Sequence, residues 1–270
     1  MRTALTIAGS DSVAGAGIQA DLKTFAALGV YGVSAITAVT SQSTSGISDV
    51  LALSPEMVRS QIERLSEDIE ISAVKTGMLA TFETVGVVAE TVSRFHLQNL
   101  VVDPVMAATT LDRTLLAPDA VSVLKTRLLP LASVVTPNVP EATTLSGVRV
   151  DSLTSAREAA KRIVGLGPRA VVIKGGHLTG AQAVDLLFCD GTFTELAAPR
   201  SRFSSAHGTG CTFAAAIAAR LALGDDIPTA VEHAKRYVTG AIERSFEIGH
   251  GARILNHFWG FSVSGLYSSS

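Results

Sequence analysis

The sequence predicts an α/β fold: a mainly parallel central sheet with helices on both faces and a small antiparallel edge. Three observations carry this expectation. Short β-type runs alternate with helical patterns along the chain, which is the rhythm of strand–helix–strand units. Hydrophobic residues make up 47% of the 270 residues and charged residues only 17%, as expected where central strands are apolar on both faces. Two strand-like runs meet across Asp190-Gly191, a hairpin signal that adds an antiparallel edge.

In chain order, strands are expected at Leu5 to Ala8, Val33 to Val39, Val74, Leu100 to Val102, Val134 to Val135 and Val171 to Ile173, each leading into loop residues and then a helix. From Ser54 the helical period is explicit. Val58, Ile62, Leu65 and Ile69 lie on one stripe, with Ser54 placed to cap the helix and Pro55 at its first position. Between Ala183 and Leu196 the period changes to two, giving Val184 to Phe188 and Thr192 to Leu196 as the hairpin strands. A helix-forming run, Phe213 to Ala219, follows a glycine-rich turn. No repeat, linker or charge block divides the chain, so one domain is expected over 1–261, with the Ser-rich 262–270 as a flexible tail.

A formal net charge of -2 gives no general attraction to nucleic acid or anionic lipid, so small-molecule partners are expected, held by local sites. Cys189 and Cys211 are the two cysteines; a chain with ample core needs no disulfide framework, and a reduced cytoplasm fits. The opening apolar run is too short for a signal peptide, and no later window reaches the roughly 20 uninterrupted apolar residues of a membrane span.

Open α/β sheets bind ligands at the carboxyl ends of their parallel strands, and the informative motifs fall there. His207-Gly208-Thr209-Gly210-Cys211-Thr212 precedes the alanine-rich helix. Unpaired amides at such a helix start suit a transferring phosphoryl group, and Cys211 in the same field is a candidate thiolate base. A buried structural cysteine is the plainer alternative. Asp21 follows Gly15-Ala16-Gly17-Ile18-Gln19-Ala20, either as a charge at a helix start or as an acceptor for substrate. A dinucleotide fingerprint is disfavoured there, because a long polar loop intervenes and Ile36 to Thr40 offer no acidic ribose partner.

Asn138 and Glu141, in Thr136-Pro137-Asn138-Val139-Pro140-Glu141, either orient hydrated Mg²⁺ beside phosphate or form a helix capping pair. Lys174 ends an apolar strand before Gly175-Gly176, where its point charge can meet a nucleotide phosphate. Asp103 ends another strand and could serve Mg²⁺ through water or bind loop amides. Thiol hydrolysis through His207 and Cys211, or metal binding through cysteines and histidines, has weaker grounds, since no ligand spacing is present.

In order, these stretches resemble the hydroxymethylpyrimidine and phosphomethylpyrimidine kinases of thiamine biosynthesis, in the ribokinase superfamily. The likeness runs from about Leu5 to Phe258 and also takes in Ala8-Gly9-Ser10-Asp11-Ser12, Thr37-Ala38-Val39-Thr40-Ser41-Gln42, Val74-Lys75-Thr76-Gly77-Met78-Leu79 and Val102-Asp103-Pro104-Val105-Met106. It implies a ribokinase-like α/β/α fold and transfer of the ATP γ-phosphate to 4-amino-5-hydroxymethyl-2-methylpyrimidine, then to its monophosphate. Asp21 and Gln42 would hydrogen-bond the aminopyrimidine, with Gly9, Met78 and Val105 lining its pocket. Cys211 would face the hydroxymethyl group, and Gly208, Thr209 and Gly210 would form the anion hole. Lys174, Asn138 and Thr209 would serve ATP, and Asp103 and Glu141 would hold Mg²⁺ through water.

A homodimer in the cytoplasm is implied as well, and a monovalent cation is left open. The sequence departs from the family at Ala107-Ala108-Thr109-Thr110-Leu111-Asp112, where many members carry Lys-Ser-Gly, and at Val13-Ala14, where Ser-Gly is usual. The alternatives are a pyridoxine or pyridoxal kinase and, from another class, a non-catalytic pyrimidine sensor.

Overall fold

The computed structural model describes residues 1–108, 113–114, 118–177, 182–200 and 206–261. The chain runs β1 (Thr3–Asp11), α1 (Gly17–Ala27), β2 (Tyr31–Ser43), β3 (Gly46–Ala52), α2 (Pro55–Asp68), β4 (Ala73–Thr76), α3 (Phe82–Arg94) and β5 (Leu100–Val102). A short ladder of β6 (Ala107–Ala108) and β7 (Arg113–Thr114) precedes α4 (Pro118–Val123), β8 (Val134–Val135), α5 (Val139–Ser146), α6 (Leu153–Val164) and β9 (Ala170–Ile173). The remainder is β10 (Gln182–Cys189), β11 (Thr192–Pro199), β12 (Ala206–His207), α7 (Thr209–Ala222), α8 (Ile227–Glu243) and β13 (Arg253–Ile254).

Nine strands form the main sheet in the order β11-β10-β9-β8-β5-β4-β1-β2-β3. Pairings from β9 through β8, β5, β4 and β1 to β2 are parallel. Strand alternation then decides the layers. Leu5, Ile7, Val74, Leu100, Val102 and Val135 point to one face, packed with Val58 and Ile62 of α2, Val85 and Val88 of α3 and Ile163 of α6. Ala4, Ala73, Val101, Val134 and Val172 point to the other face, against Phe25 of α1, the alanines of α7 and Val231 and Val238 of α8. Six alanines from Ala214 to Ala222 are buried on α7, and their small side chains let this helix lie close to sheet, α1 and α8 alike.

Most of the expected strands appear with longer ends, while β5 and β8 keep their expected bounds. Ser54 accepts the amide of Met57 and Pro55 opens α2, as its sequence predicts. Asp190 and Gly191 both have positive φ, 48° and 77°, the signature of a tight turn matched to strand twist, between β10 and β11. Two expectations are corrected: β2 runs into an antiparallel strand, β3, and β9 is followed by a short turn and the antiparallel β10, not by flanking helices. Both ends of the sheet therefore carry antiparallel edges. No described helix is long and apolar enough to cross a membrane. The predicted tail at 262–270 and the unusual Thr109 to Asp112 lie outside the described residues.

Candidate active site

The parallel strands deliver Asp11, Gln42, Gly77, Asp103, Asn138 and Lys174 at or just past their carboxyl ends, where an open α/β sheet builds its site. Over these ends sits the start of α7. Gly208 precedes it with φ 84°, a left-handed backbone that favours glycine. A Cβ there would stand 1.8 Å from the carbonyl oxygen of Gly15, so this turn is pressed onto the glycine loop after β1. No side chain caps α7. The amides of Thr209, Gly210 and Cys211 precede the first intrahelical bond, from Thr212 to Gly208, and form an anion-seeking turn.

One side of the turn carries an ion-paired lysine. Lys174 Nζ lies 2.8 Å from Asp103 Oδ1 and 4.0 Å from Glu141 Oε2. A Cβ on Gly210 would be 3.2 Å from that ammonium and 3.7 Å from Asp103 Oδ2, so Lys174 and Asp103 both reach the turn. The Lys174 amide bonds the Pro137 carbonyl, and Asn138 and Lys174 form a parallel bridge, which keeps the ends of β8 and β9 together. Asn138 and Glu141 make a reciprocal capping box, the structural alternative their spacing allowed. Glu141 is nonetheless buried beside Lys174. Burial pushes its carboxyl up to about 7; Lys174 works against this and Asp103 reinforces it. Burial alone would lower Lys174, but Asp103 and Glu141 hold it above its ordinary value.

The other side is more apolar. Gly9 and Met78 touch: a Cβ on Gly9 would meet Met78 Cε at 2.5 Å. Val105 and Asp103 border a small cavity walled by Leu79, Val85, Val102 and Leu124; it contains neither Cys211 nor Lys174 and is a packing defect under the strand ends. Gln42 closes this side, with Thr40 Oγ1 at 3.2 Å from its Oε1 and His207 Nε2 at 2.8 Å from its Nε2.

Asp21 is wholly enclosed. It is 0% exposed and paired at 2.8 Å with Lys75, also 0% exposed, and the same Oδ2 accepts from Thr6 at 2.6 Å. That oxygen is thus engaged by Lys75 and Thr6. Its Oδ1 has no partner. Burial pushes Asp21 up against the pull of Lys75, while Lys75, which burial would lower, is carried above its usual value chiefly by Asp21 and next by Cys211. The pair lies close enough to Cys211 for its charges to act on the thiol. The helix dipole favours thiolate there, yet burial prevails and pushes the thiol up to about 11, with Lys75 the largest opposing influence. Cys189 and Cys211 are both free.

The sequence does not mark Lys75, because a lysine inside a strand gives no signal of burial until its partner is known. His207 likewise turns away from the cysteine. Its Nε2 is 2.9 Å from Asp11 Oδ2, and Asp11 also accepts the amides of Val13, Gly15 and Ala16. Burial would raise Asp11, but His207 and these amides hold it below the usual range. Among the described residues no three His, Cys, Asp or Glu side chains converge as a metal cluster.

A sequence profile of the phosphomethylpyrimidine kinase family matches residues 11–256. The chain belongs to this family. It is a phosphotransferase with a ribokinase-like fold. A hydroxymethylpyrimidine/phosphomethylpyrimidine kinase of Streptomyces coelicolor is 49% identical over 255 residues, 94% of each chain. The thiamine biosynthesis bifunctional protein ThiED of Geobacter sulfurreducens is 47% identical over 253 residues, 94% of this chain but 51% of that longer protein. Among solved structures, the pyridoxal kinase of Staphylococcus aureus in complex with AMP-PCP and pyridoxal superposes with a TM-score of 0.90 at 38% identity, covering 97% of this chain and 96% of that one.

Proposed function

We propose that this family member phosphorylates 4-amino-5-hydroxymethyl-2-methylpyrimidine with ATP, and then phosphorylates the monophosphate to the pyrophosphate used in thiamine synthesis. The observation that carries the reading is the uncapped turn at Thr209 to Cys211 with Lys174 and Asp103 at its flank. It pairs a phosphoryl-stabilising site with a nucleophile-side residue, Cys211, as phosphoryl transfer requires. The names of the relatives at up to 49% identity support the substrate.

In this reading the acceptor hydroxymethyl oxygen bonds the γ-phosphorus as the bond to the bridging oxygen of ADP breaks. Burial favours the Cys211 thiol, so the hydroxyl proton passes to it once it ionises, with Lys75 the cation that favours that form. The amides of Thr209, Gly210 and Cys211, with Gly208 setting their direction, receive the charge on the equatorial oxygens. Lys174 binds phosphate as a point charge, and Asn138 holds the turn that presents it. Gln42 reads the ring; Gly9, Met78 and Val105 pack it. Asp21 holds Lys75 near Cys211, a positioning role. Asp103 and Glu141 are hard oxygen donors set beside the turn, a pair that fits hydrated Mg²⁺, which when bound neutralises phosphate charge. We read 1–261 as one catalytic unit working in the cytoplasm. A homodimer through the β2–β3 edge is supported by Val39 and Leu51, a directly paired, outward couple 45% and 67% exposed.

A coupled ATP assay with Mg²⁺ comparing the hydroxymethylpyrimidine, its monophosphate and pyridoxal, with products resolved by mass, tests the proposal. Pyrimidine pyrophosphate is the expected product. The likeness to a pyridoxal kinase favours vitamin B6 phosphorylation as the second reading, and turnover of pyridoxal alone would establish it. Absence of any turnover would leave the binding-only sensor.

A further inference from the structure

His207 makes contacts that neither the anion turn nor proton transfer at Cys211 requires. Its Nε2 meets Asp11 Oδ2 at 2.9 Å and the Gln42 amide at 2.8 Å, and its side chain is only 15% exposed. One imidazole thus joins the glycine loop held by Asp11, the amide at the end of β2 and the residue that opens the anion turn. The ring is packed tightly: a Cβ on Gly15 would stand 2.4 Å from His207 Cδ2.

Counting hydrogens fixes how these groups face one another. An ionised Asp11 only accepts, so His207 Nε2 carries the hydrogen and cannot accept another from the Gln42 NH₂. Thr40 Oγ1 has a single hydrogen, which it gives to the Ser10 carbonyl at 2.9 Å; toward Gln42 it must accept. Both requirements are met when Gln42 directs NH₂ at Thr40 and Oε1 at His207, whose single Nε2 hydrogen is then shared between Asp11 Oδ2 and Gln42 Oε1 as a three-centre bond. Each end of the amide then keeps one function unused: a lone pair on Oε1 and one N–H. That adjacent acceptor and donor complement a ring nitrogen beside an exocyclic amine, and pyridoxal carries no such amine.

We propose that His207 is a positioning residue for acceptor selection, fixing the Gln42 amide in one orientation so that it reads an N-heterocycle bearing an adjacent amino group. The proposal rests on the reading of Gln42 as the ring-recognising amide. Substrate kinetics on Gln42→Leu, His207→Phe, His207→Gln and the Gln42→Leu/His207→Phe double variant separate the two. The aminopyrimidine is varied at saturating ATP, and ATP is varied in turn.

Gln42→Leu and His207→Phe are each expected to raise the aminopyrimidine KM about tenfold, the scale of losing the two neutral hydrogen bonds of one amide. The KM for ATP and kcat should stay within about threefold, and the double variant should be little worse than either single one. His207→Gln, which retains an N–H donor, should recover most of the loss. His207→Asn, too short to reach Gln42, provides the same test should the phenylalanine variant fail to fold. A fall in kcat at unchanged pyrimidine KM would show that His207 only shapes the anion turn, overturning the proposal while Gln42 keeps its role. An unchanged pyrimidine KM in Gln42→Leu would overturn both.

Discussion

Removing the Lys75 charge near Cys211 should be among the most damaging single changes away from the reacting atoms. Lys75 and Asp21 are both 0% exposed, 2.8 Å apart, with one Asp21 oxygen lacking any partner. Lys75→Met keeps the apolar stem but leaves a carboxylate uncompensated in the interior, a loss of about 3–5 kcal/mol. For 270 residues at about 2.1 cal/mol/K each, the unfolding entropy is about 0.57 kcal/mol/K, so Tm should fall by roughly 5–9 °C. Adding Asp21→Asn removes the stranded charge and should restore most of that loss, although Lys75→Met/Asp21→Asn carries one substitution more. Thermal and urea unfolding of the three proteins measures both steps. A single-variant loss below about 1 kcal/mol, or a double variant less stable than the single one, would refute the reasoning. The same proteins report on Cys211: with the chief opposing cation gone, the thiol should titrate still higher and react more slowly with iodoacetamide at pH 8.

Gly208→Ala places a methyl 1.8 Å from the Gly15 carbonyl at φ 84°; displacement of the turn amides should lower kcat about 10²-fold, and kcat within threefold of wild type would contradict the anion-hole assignment. Cys211→Ala should lower turnover far more than pyrimidine affinity, and full activity would remove the thiol from the mechanism. Glu141 titrates near 7 in the folded chain against an ordinary 4.5, so its protonated form favours folding. That contribution is complete below pH 4.5 and is lost as pH rises through 7. Wild type should therefore lose stability relative to Glu141→Gln between pH 5 and pH 8 in urea titrations; a constant or opposite difference would count against the buried-carboxyl account.

Much of the fold is legible along the chain because each central strand is a short apolar run that ends abruptly. Leu100 to Val102 and Val134 to Val135 are observed with the expected bounds, and the Asp190-Gly191 turn is recognisable from backbone requirements alone. β3 escapes detection because Gly46–Ala52 is an edge strand: most of its residues are exposed, and no apolar face marks its period. In the site, local motifs bring Lys174, Asp103 and Gly210 together as their strand ends suggest. Asp21 is different. Whether its carboxylate faces a ligand or a lysine depends on Lys75, 54 positions later in sequence, and on the parallel pairing of β1 with β4. Spacing within one motif carries no information on such a partner, and the same is true of His207 with Asp11 and Gln42.

The order of strands has a consequence for how such enzymes can diversify. Residues proposed to handle phosphate come mainly from β8 and β9, whereas those proposed to read the acceptor come mainly from β1, β2 and the turn after β4; β5 stands between them and its end supplies one to each, Asp103 and Val105. The two tasks thus lie mainly in opposite halves of one sheet and meet at the end of β5 and the tip of α7. A lineage can exchange the molecule it phosphorylates by editing one half while inheriting the other intact. On this assignment, the likeness to a pyridoxal kinase is what a division of labour across a sheet would leave behind, and laboratory selection for new acceptors should accumulate changes around Gln42 and Met78 before it touches Lys174.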